Sequence, residues 1–303
     1  MPSHRPPHSS SNQPPTQSPR NVLLEEARHL RLKKRFSQHF LVNAGVLDRI
    51  ADLMHLGLED TVVEIGPGSG FLTERLLERA GAVIAVELDR KMCDYLRKKF
   101  ANRPNFQLIE QDVLRFDFES IEAPRFKVVG NLPYAITSKI MFKLAGELDM
   151  EEYPLRQRME QLTVMVQKEV GERITAKPGQ RAYNPLSIAL QFWFDPRLDF
   201  GVPARDFYPP PKVESAVVSL FPRTGPRAKV RDMAVFGRLV RTAFAQKRKT
   251  IRNALLNGAF ANAGVLDKIF GATGIDSSLR AEALPVEAFG DLANALCSDT
   301  SQS

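Results

Sequence analysis

The sequence predicts an α/β protein, a mostly parallel sheet with right-handed crossovers, followed by a small α-helical domain. Three observations predict it. Short β-branched runs alternate with amphipathic helical runs from about Thr61. A glycine-rich turn follows the first of those runs at once. Beyond about Thr224 only helical patterns remain. Strands separated by helices make βαβ units. Such a sheet binds ligands at the carboxyl ends of its strands, so chemistry is expected in the loops that follow them.

Taken in order, residues 1–21 are Pro, Ser, Gln and His with almost nothing to bury, and a disordered tail is expected there. With only Arg5 and Arg20 before Leu23, and several prolines, it does not read as an Arg-rich amphipathic transit peptide. Thr61-Val62-Val63-Glu64-Ile65 reads as a strand, Phe71 to Ala80 as a helix and Ala82-Val83-Ile84-Ala85-Val86 as the next strand. Arg90 to Phe100 follows as a helix, then Phe106 to Glu110 and Phe126 to Gly130 as strands. Leu162 to Val166, Leu186 to Phe194 and Ala216 to Leu220 read as further strands or buried segments. Pro222 through Pro226 marks a linker, and Met233 to Ala245, Gln246 to Asn257 and Val286 to Leu296 read as helices.

The bulk properties set bounds. A chain of 303 residues with 43% hydrophobic content has ample material for a core. No apolar run reaches the ~18–20 residues of a membrane span, and no N-terminal secretory pattern is present, so a soluble, cytoplasmic protein without a membrane partner is expected. Cys93 and Cys297 lie far apart, and His29, His39 and His55 are not at ligand spacing, so no metal site is expected. The net charge of +7 favours an anionic partner. It is concentrated: from Arg223 to Arg252 ten basic residues face one acid, Asp232. A solvated helix face would read similarly, but so one-sided a run favours an anion-binding surface.

The first strand ends in Glu64-Ile65-Gly66-Pro67-Gly68-Ser69-Gly70. Glycines let the backbone turn sharply and approach a ligand closely. Dinucleotide sites want Gly-x-Gly-x-x-Gly; here the spacing is Gly-x-Gly-x-Gly, with Phe71 in the next position. A ligand without a phosphate on the helix matches better, although a Gly loop alone is as readily a structural turn. Glu87, at the end of the second strand, stands where an acid accepts both ribose hydroxyls. Asp112 follows the third strand, in reach of an adenine amino group.

The fourth strand runs into Asn131-Leu132-Pro133-Tyr134. Pro133 stiffens the loop. An adenine N6 amine is a poor nucleophile because its lone pair is delocalised into the ring. Two acceptors for its two N–H bonds make it pyramidal and aim the lone pair at a sulfonium methyl. Asn131 Oδ1 and the Leu132 carbonyl suit that task, and Tyr134 offers a stacking face. Without the Gly loop the same four residues would read as a plain turn.

On these motifs the chain resembles the rRNA adenine N6-dimethyltransferases, within them the bacterial branch that dimethylates two adjacent adenosines near the 3′ end of 16S rRNA. The resemblance runs from about Arg35 to near the C-terminus. It includes Arg35-Phe36-Ser37-Gln38-His39-Phe40-Leu41, Glu64 to Gly70, Glu87-Leu88-Asp89, Gln111-Asp112, Gly130 to Tyr134, Gln167 to Val170, Phe207 to Val213 and Phe244 to Asn253. It implies a Rossmann-like S-adenosylmethionine-dependent fold, with a tail at 1–21, a catalytic domain at 22–223 and a basic, RNA-binding helical domain at 224–303. His39, Leu41, Gly66, Glu87, Asp112 and Asn131 would border the cofactor. Asn131, Leu132, Pro133 and Tyr134 would be catalytic, with Phe207 the second aromatic wall of the base slot. Lys247, Arg248, Lys249 and Arg252 would contact 16S rRNA, with Arg248 and Arg252 on one helical face. The family usually has Asn where this chain has His39. A monomer acting on the small ribosomal subunit is expected. The competing readings are a large-subunit rRNA methyltransferase and a non-catalytic ribosome-assembly or transcription factor on the same fold.

Overall fold

The alternation of strands and helices resolves, in a computed structural model that describes residues 18–30 and 39–300, into one seven-stranded sheet flanked by helices. Residues 1–17 and Arg35 to Gln38 of the motif lie outside the described residues. The chain enters through α1 (Pro19–His29), β1 (Phe40–Leu41) and α2 (Ala44–Leu53). Three parallel units follow: β2 (Thr61–Ile65), α3 (Phe71–Leu77), β3 (Ala82–Glu87), α4 (Arg90–Lys99) and β4 (Phe106–Glu110). Next come β5 (Phe126–Asn131), α5 (Thr137–Ala145), α6 (Pro154–Arg158), β6 (Met159–Gln167) and α7 (Lys168–Thr175). The sheet closes with α8 (Pro185–Trp193), β7 (Phe194–Val202), β8 (Phe207–Tyr208) and β9 (Ser215–Pro222). The helices α9 (Met233–Ala245), α10 (Ile251–Asn257), α11 (Ala263–Thr273) and α12 (Val286–Thr300) complete the chain.

The strand order is β4-β3-β2-β5-β6-β9-β7, parallel from β4 through β6 and antiparallel where β9 meets β6 and β7. Strand order reverses between β2 and β5, which opens a crevice beyond their carboxyl ends. The two strands run side by side up to Ile65 opposite Gly130. A Cβ on Gly130 would stand 2.5 Å from the Ile65 carbonyl oxygen, so only glycine lets the strands approach so closely there.

Alternation along the central strands explains their β-branched composition. Val62 and Val129 pack on one face with Phe71 and Leu96, and Val63 and Val128 on the other with Ile140 and Leu144. Both faces are buried, as a parallel sheet between helices requires. The C-terminal helices enclose a separate core around Phe236, Leu239 and Phe289, which meets the sheet's core at Trp193.

Four expectations need correction. The helix α1 starts at Pro19, inside the segment read as tail; Ser18 caps it and Pro19 occupies its first turn. Leu186 to Trp193 is helical rather than extended: Asn184 and Ser187 form a reciprocal capping box, and the helix is buried nearly all round, which erases the period. The strand β7 escaped the reading because Pro196 and two aspartates interrupt it, tolerable at a sheet edge. Residues 246–250 form a turn, and α10 begins only after Thr250, whose hydroxyl accepts from the Asn253 N–H.

Candidate active site and cofactor cleft

The loops after β2 and β5 share one cleft of about 310 Å³, which β1 and α2 complete from the N-terminal side. His39, Leu41, Gly66, Glu87 and the run Asn131 to Tyr134 all line it, together with Phe40 and Glu64.

Two glycines shape the first loop. Gly66, at φ +67°, would point a Cβ towards the Asn131 carbonyl 3.8 Å away, into the space between the two loops. At Gly68 a Cβ would lie 2.8 Å from the Phe40 ring. Both positions need a residue that enters the left-handed region freely and leaves the cradle empty of side chain.

Glu87 is buried at the end of β3, and its carboxylate ties the cradle together. Oε2 accepts from the Gly68 N–H at 3.1 Å, and Oε1 from the N–H groups of Leu88 and Asp89 at 2.9 and 2.8 Å. Burial raises its pKa, and these three donors oppose the rise. The carboxylate therefore sits oriented beside the loop, where it can also accept ribose hydroxyls. Glu87→Ala should weaken S-adenosylmethionine binding by about 1.5–3 kcal/mol, the worth of a charged hydrogen-bond partner. Unchanged affinity by calorimetry would remove Glu87 from that role.

Glu64 is the buried acid that sequence reasoning passed over. It lies inside β2 at 2% exposure, accepts from the Thr73 hydroxyl at 2.6 Å and still reaches the cleft. Burial pushes its pKa up to about 8, Thr73 pulls it down and the nearby Glu87 pushes it up further. The signal in the sequence was an acid in the middle of an otherwise apolar strand.

On the opposite wall, Asn131 ends β5. Its Nδ2 donates to the His39 carbonyl at 3.0 Å, which fixes the amide and leaves Oδ1 for another donor. The Leu132 N–H is held by the Met165 carbonyl at 3.0 Å. The Tyr134 hydroxyl and Ser215 Oγ share a hydrogen bond of 2.6 Å. Burial raises the Tyr134 pKa, which keeps the phenol neutral.

Two residues proposed from the sequence for this cleft do not line it. Asp112 does not line the cleft; its Oδ1 accepts from the Leu114 N–H at 2.9 Å and caps the turn after β4. Phe207 is 3% exposed, pairs with Leu41 across the β1–β8 ladder and packs in the core instead of forming a free wall. Arg252 is bound by Asp267 through two hydrogen bonds of 2.7 and 3.0 Å. Because residues 246–250 are a turn, Arg248 and Arg252 do not share a helical face.

The ten-residue basic excess is also partly neutralised by acids distant in sequence. Asp195 takes Arg223 and Arg227, and Asp149 takes Arg241. Lys247, Arg248 and Lys249 remain exposed on the turn between α9 and α10. Among the described residues there is no cluster of metal-ligating side chains and no helix long and apolar enough to cross a membrane.

The model of the ribosomal RNA adenine dimethylase family matches residues 29–297. The chain belongs to that family. Relatives named Ribosomal RNA small subunit methyltransferase A support the placement. The one from Moorella thermoacetica is 40% identical over 287 residues, covering 91% of this chain and 96% of the relative. The one from Bacillus mycoides is 41% identical over 273 residues, covering 87% and 91%. Among solved structures, the 23S rRNA methyltransferase ErmE is 26% identical with a TM-score of 0.67, covering 85% of this chain and 99% of that one. A dimethyladenosine transferase from Plasmodium falciparum is 27% identical at the same TM-score, covering 82% and 94%. The fold is therefore the Rossmann-like one of S-adenosylmethionine-dependent methyltransferases, and S-adenosylmethionine is the cofactor.

Proposed function

We propose that this protein methylates the N6 amines of two adjacent adenosines near the 3′ end of 16S rRNA in the small ribosomal subunit, giving N6,N6-dimethyladenosine. The observation that carries this reading is the shared cleft, in which the glycine cradle and Asn131 to Tyr134 face one another. The small-subunit relatives, at about 40% identity, outweigh the 23S rRNA enzyme at 26% in the choice of substrate.

S-adenosylmethionine supplies an electrophilic methyl on a sulfonium. Gly66, Leu41 and His39 would border it, and Glu87 would hold its ribose. Asn131 Oδ1 and the Leu132 carbonyl accept the two N–H bonds of the amine, which localises the nitrogen lone pair opposite the methyl. Tyr134 stacks on the base. No strong base is needed, because methylation acidifies the remaining N–H and water takes the proton.

Residues 22–223 would form the catalytic domain and 224–303 a helical RNA-binding domain, and the protein would work as a cytoplasmic monomer. Labelled methyl transfer to undermodified small subunits, with large subunits and DNA in parallel, tests the reading. Transfer to large subunits alone would overturn it, and absence of transfer with intact subunit binding would favour an assembly factor.

The exposed turn carries the RNA contact in this reading. Replacing Lys247, Arg248 and Lys249 by Gln should flatten the slope of log K against log salt by up to about 2, at roughly 0.7 per phosphate contact. Arg252→Gln should flatten it by less than a full contact, since Asp267 competes with phosphate for that guanidinium. An unchanged slope in the triple variant would show that these residues only keep the turn soluble.

A further inference from the structure

The far end of the glycine loop is held from behind, by side chains that line no part of the cleft. Ser69 and Phe71 do line it, and Ser69 is 4% exposed. A Cβ on Gly70, between them, would stand 2.8 Å from both Leu96 and the Phe100 ring, so the loop lies directly against the end of α4. Lys99, the last residue of α4, reaches over this contact. Its Nζ donates to the Ser69 carbonyl at 3.4 Å and stands 4.9 Å from the centre of the Phe71 ring.

An ammonium has three hydrogens to place, and a second partner fixes this one. Lys99 Nζ also donates to Glu26 Oε1 at 2.8 Å, and the Tyr95 hydroxyl donates to the same oxygen. The lysine side chain is only 15% exposed, and a partly buried pair is screened far less than a surface one. Among the described residues Glu26 is the one carboxylate paired with Lys99. Glu26 belongs to α1, whose Leu23 and Ala27 are buried in the same core as Phe71, Leu96 and Phe100. A contact chain thus runs from α1 through α4 to the backbone of the cradle.

We propose that Glu26 and Lys99 are positioning residues for cofactor binding. Docked α1 supplies the carboxylate that holds the lysine, and the lysine holds the Ser69 carbonyl, so this end of the cradle is set before the cofactor arrives. The pair acts on S-adenosylmethionine placed against the glycine loop, a placement on which the proposal rests, and is indifferent to which RNA is methylated. A lysine acting through charge alone would do the opposite, because the cofactor's sulfonium is itself a cation.

The test uses the full chain and calorimetry with two probes, S-adenosylmethionine and S-adenosylhomocysteine, whose sulfur is uncharged. Melting temperature is the folding control. Lys99→Met should weaken both ligands alike, by between about twofold and tenfold, the worth of one hydrogen bond. Glu26→Ala should do the same, and the double variant should lose no more than the larger single loss, as coupled neighbours do. Lys99→Arg, which keeps the charge and the donors, should recover most of the affinity. Wild-type affinity for both ligands in Lys99→Met and Glu26→Ala, whatever their melting temperatures, overturns the proposal. So does tighter S-adenosylmethionine with unchanged S-adenosylhomocysteine in Lys99→Met, since the lysine then acts only as a charge. Losses that add in the double variant overturn the part played by α1. Should Lys99→Met fail to fold, Glu26→Ala and Tyr95→Phe decide: parallel loss of both ligands supports the proposal, and wild-type affinity overturns it. A wild-type chain that binds neither ligand overturns the placement of the cofactor itself, a separate failure seen without any variant.

Discussion

Asn131→Ala should cut turnover by at least about a hundredfold while cofactor affinity falls much less. The asymmetry follows from where the side chain points. Its Nδ2 is spent on the His39 carbonyl at 3.0 Å, so the amide cannot flip without losing a bond, and Oδ1 stays available in a residue that lines the cleft. An acceptor aimed at charge that develops only as the amine attacks is worth about 10²–10³ in turnover when removed. Alanine also releases the His39 carbonyl, so part of any change in binding will come from movement of the N-terminal segment. Single-turnover rates and calorimetry on the same variant separate the two. Equal losses in rate and affinity would mean that Asn131 is mainly a cofactor contact.

Glu64→Gln should stabilise the free protein in a pH-dependent way. The folded state holds the Glu64 proton up to about pH 8, whereas the ordinary value is 4.5. Between those values the native state binds more protons than the unfolded one, so this group lowers stability as pH rises through that window and adds no further change above it. Gln keeps an acceptor for the Thr73 hydroxyl and abolishes the titration. The variant should match wild type near pH 4.5 and exceed it by a few kcal/mol at pH 8, because each pH unit of that window costs the ionising side chain about 1.4 kcal/mol. Melting curves of the two proteins from pH 5 to 9 provide the check. Parallel curves would show that Glu64 ionises as an ordinary surface carboxylate does.

The parts of this molecule that were legible in its sequence are those where one local rule dominates. Thr61–Ile65 and Ala82–Val86 could be read because β-branched runs ended abruptly at glycine or acid, and the cleft beyond Thr61–Ile65 could be placed because parallel strands put their loops on one edge. What escaped depended on partners distant in the chain. Arg252 reads as an unpaired cation until the packing of α10 and α11 brings Asp267 beside it. Phe207 reads as a free aromatic until it pairs with Leu41. The side chain of Asp112 satisfies its own turn, a local event, but one that any acid after a strand could choose or decline. Segment Leu186 to Phe194 carried no period because it is enclosed by the sheet's core and by the C-terminal helices at once.

The contact between Ile65 and Gly130 has a consequence for how the molecule breathes. The two loops that line the cleft leave adjacent, hydrogen-bonded strands in the middle of the sheet, with β3 and β4 beyond one and β6, β9 and β7 beyond the other. Their separation is therefore a ladder spacing, about 4.8 Å, rather than a property of either loop. Fraying starts at edges and termini, where opening costs least. To part the cradle from Asn131, the chain has to open its most deeply placed strand pair. The spacing of the two cleft loops thus belongs to the last cooperative unit to let go, so motion of the loops at the rim leaves the frame beneath them intact.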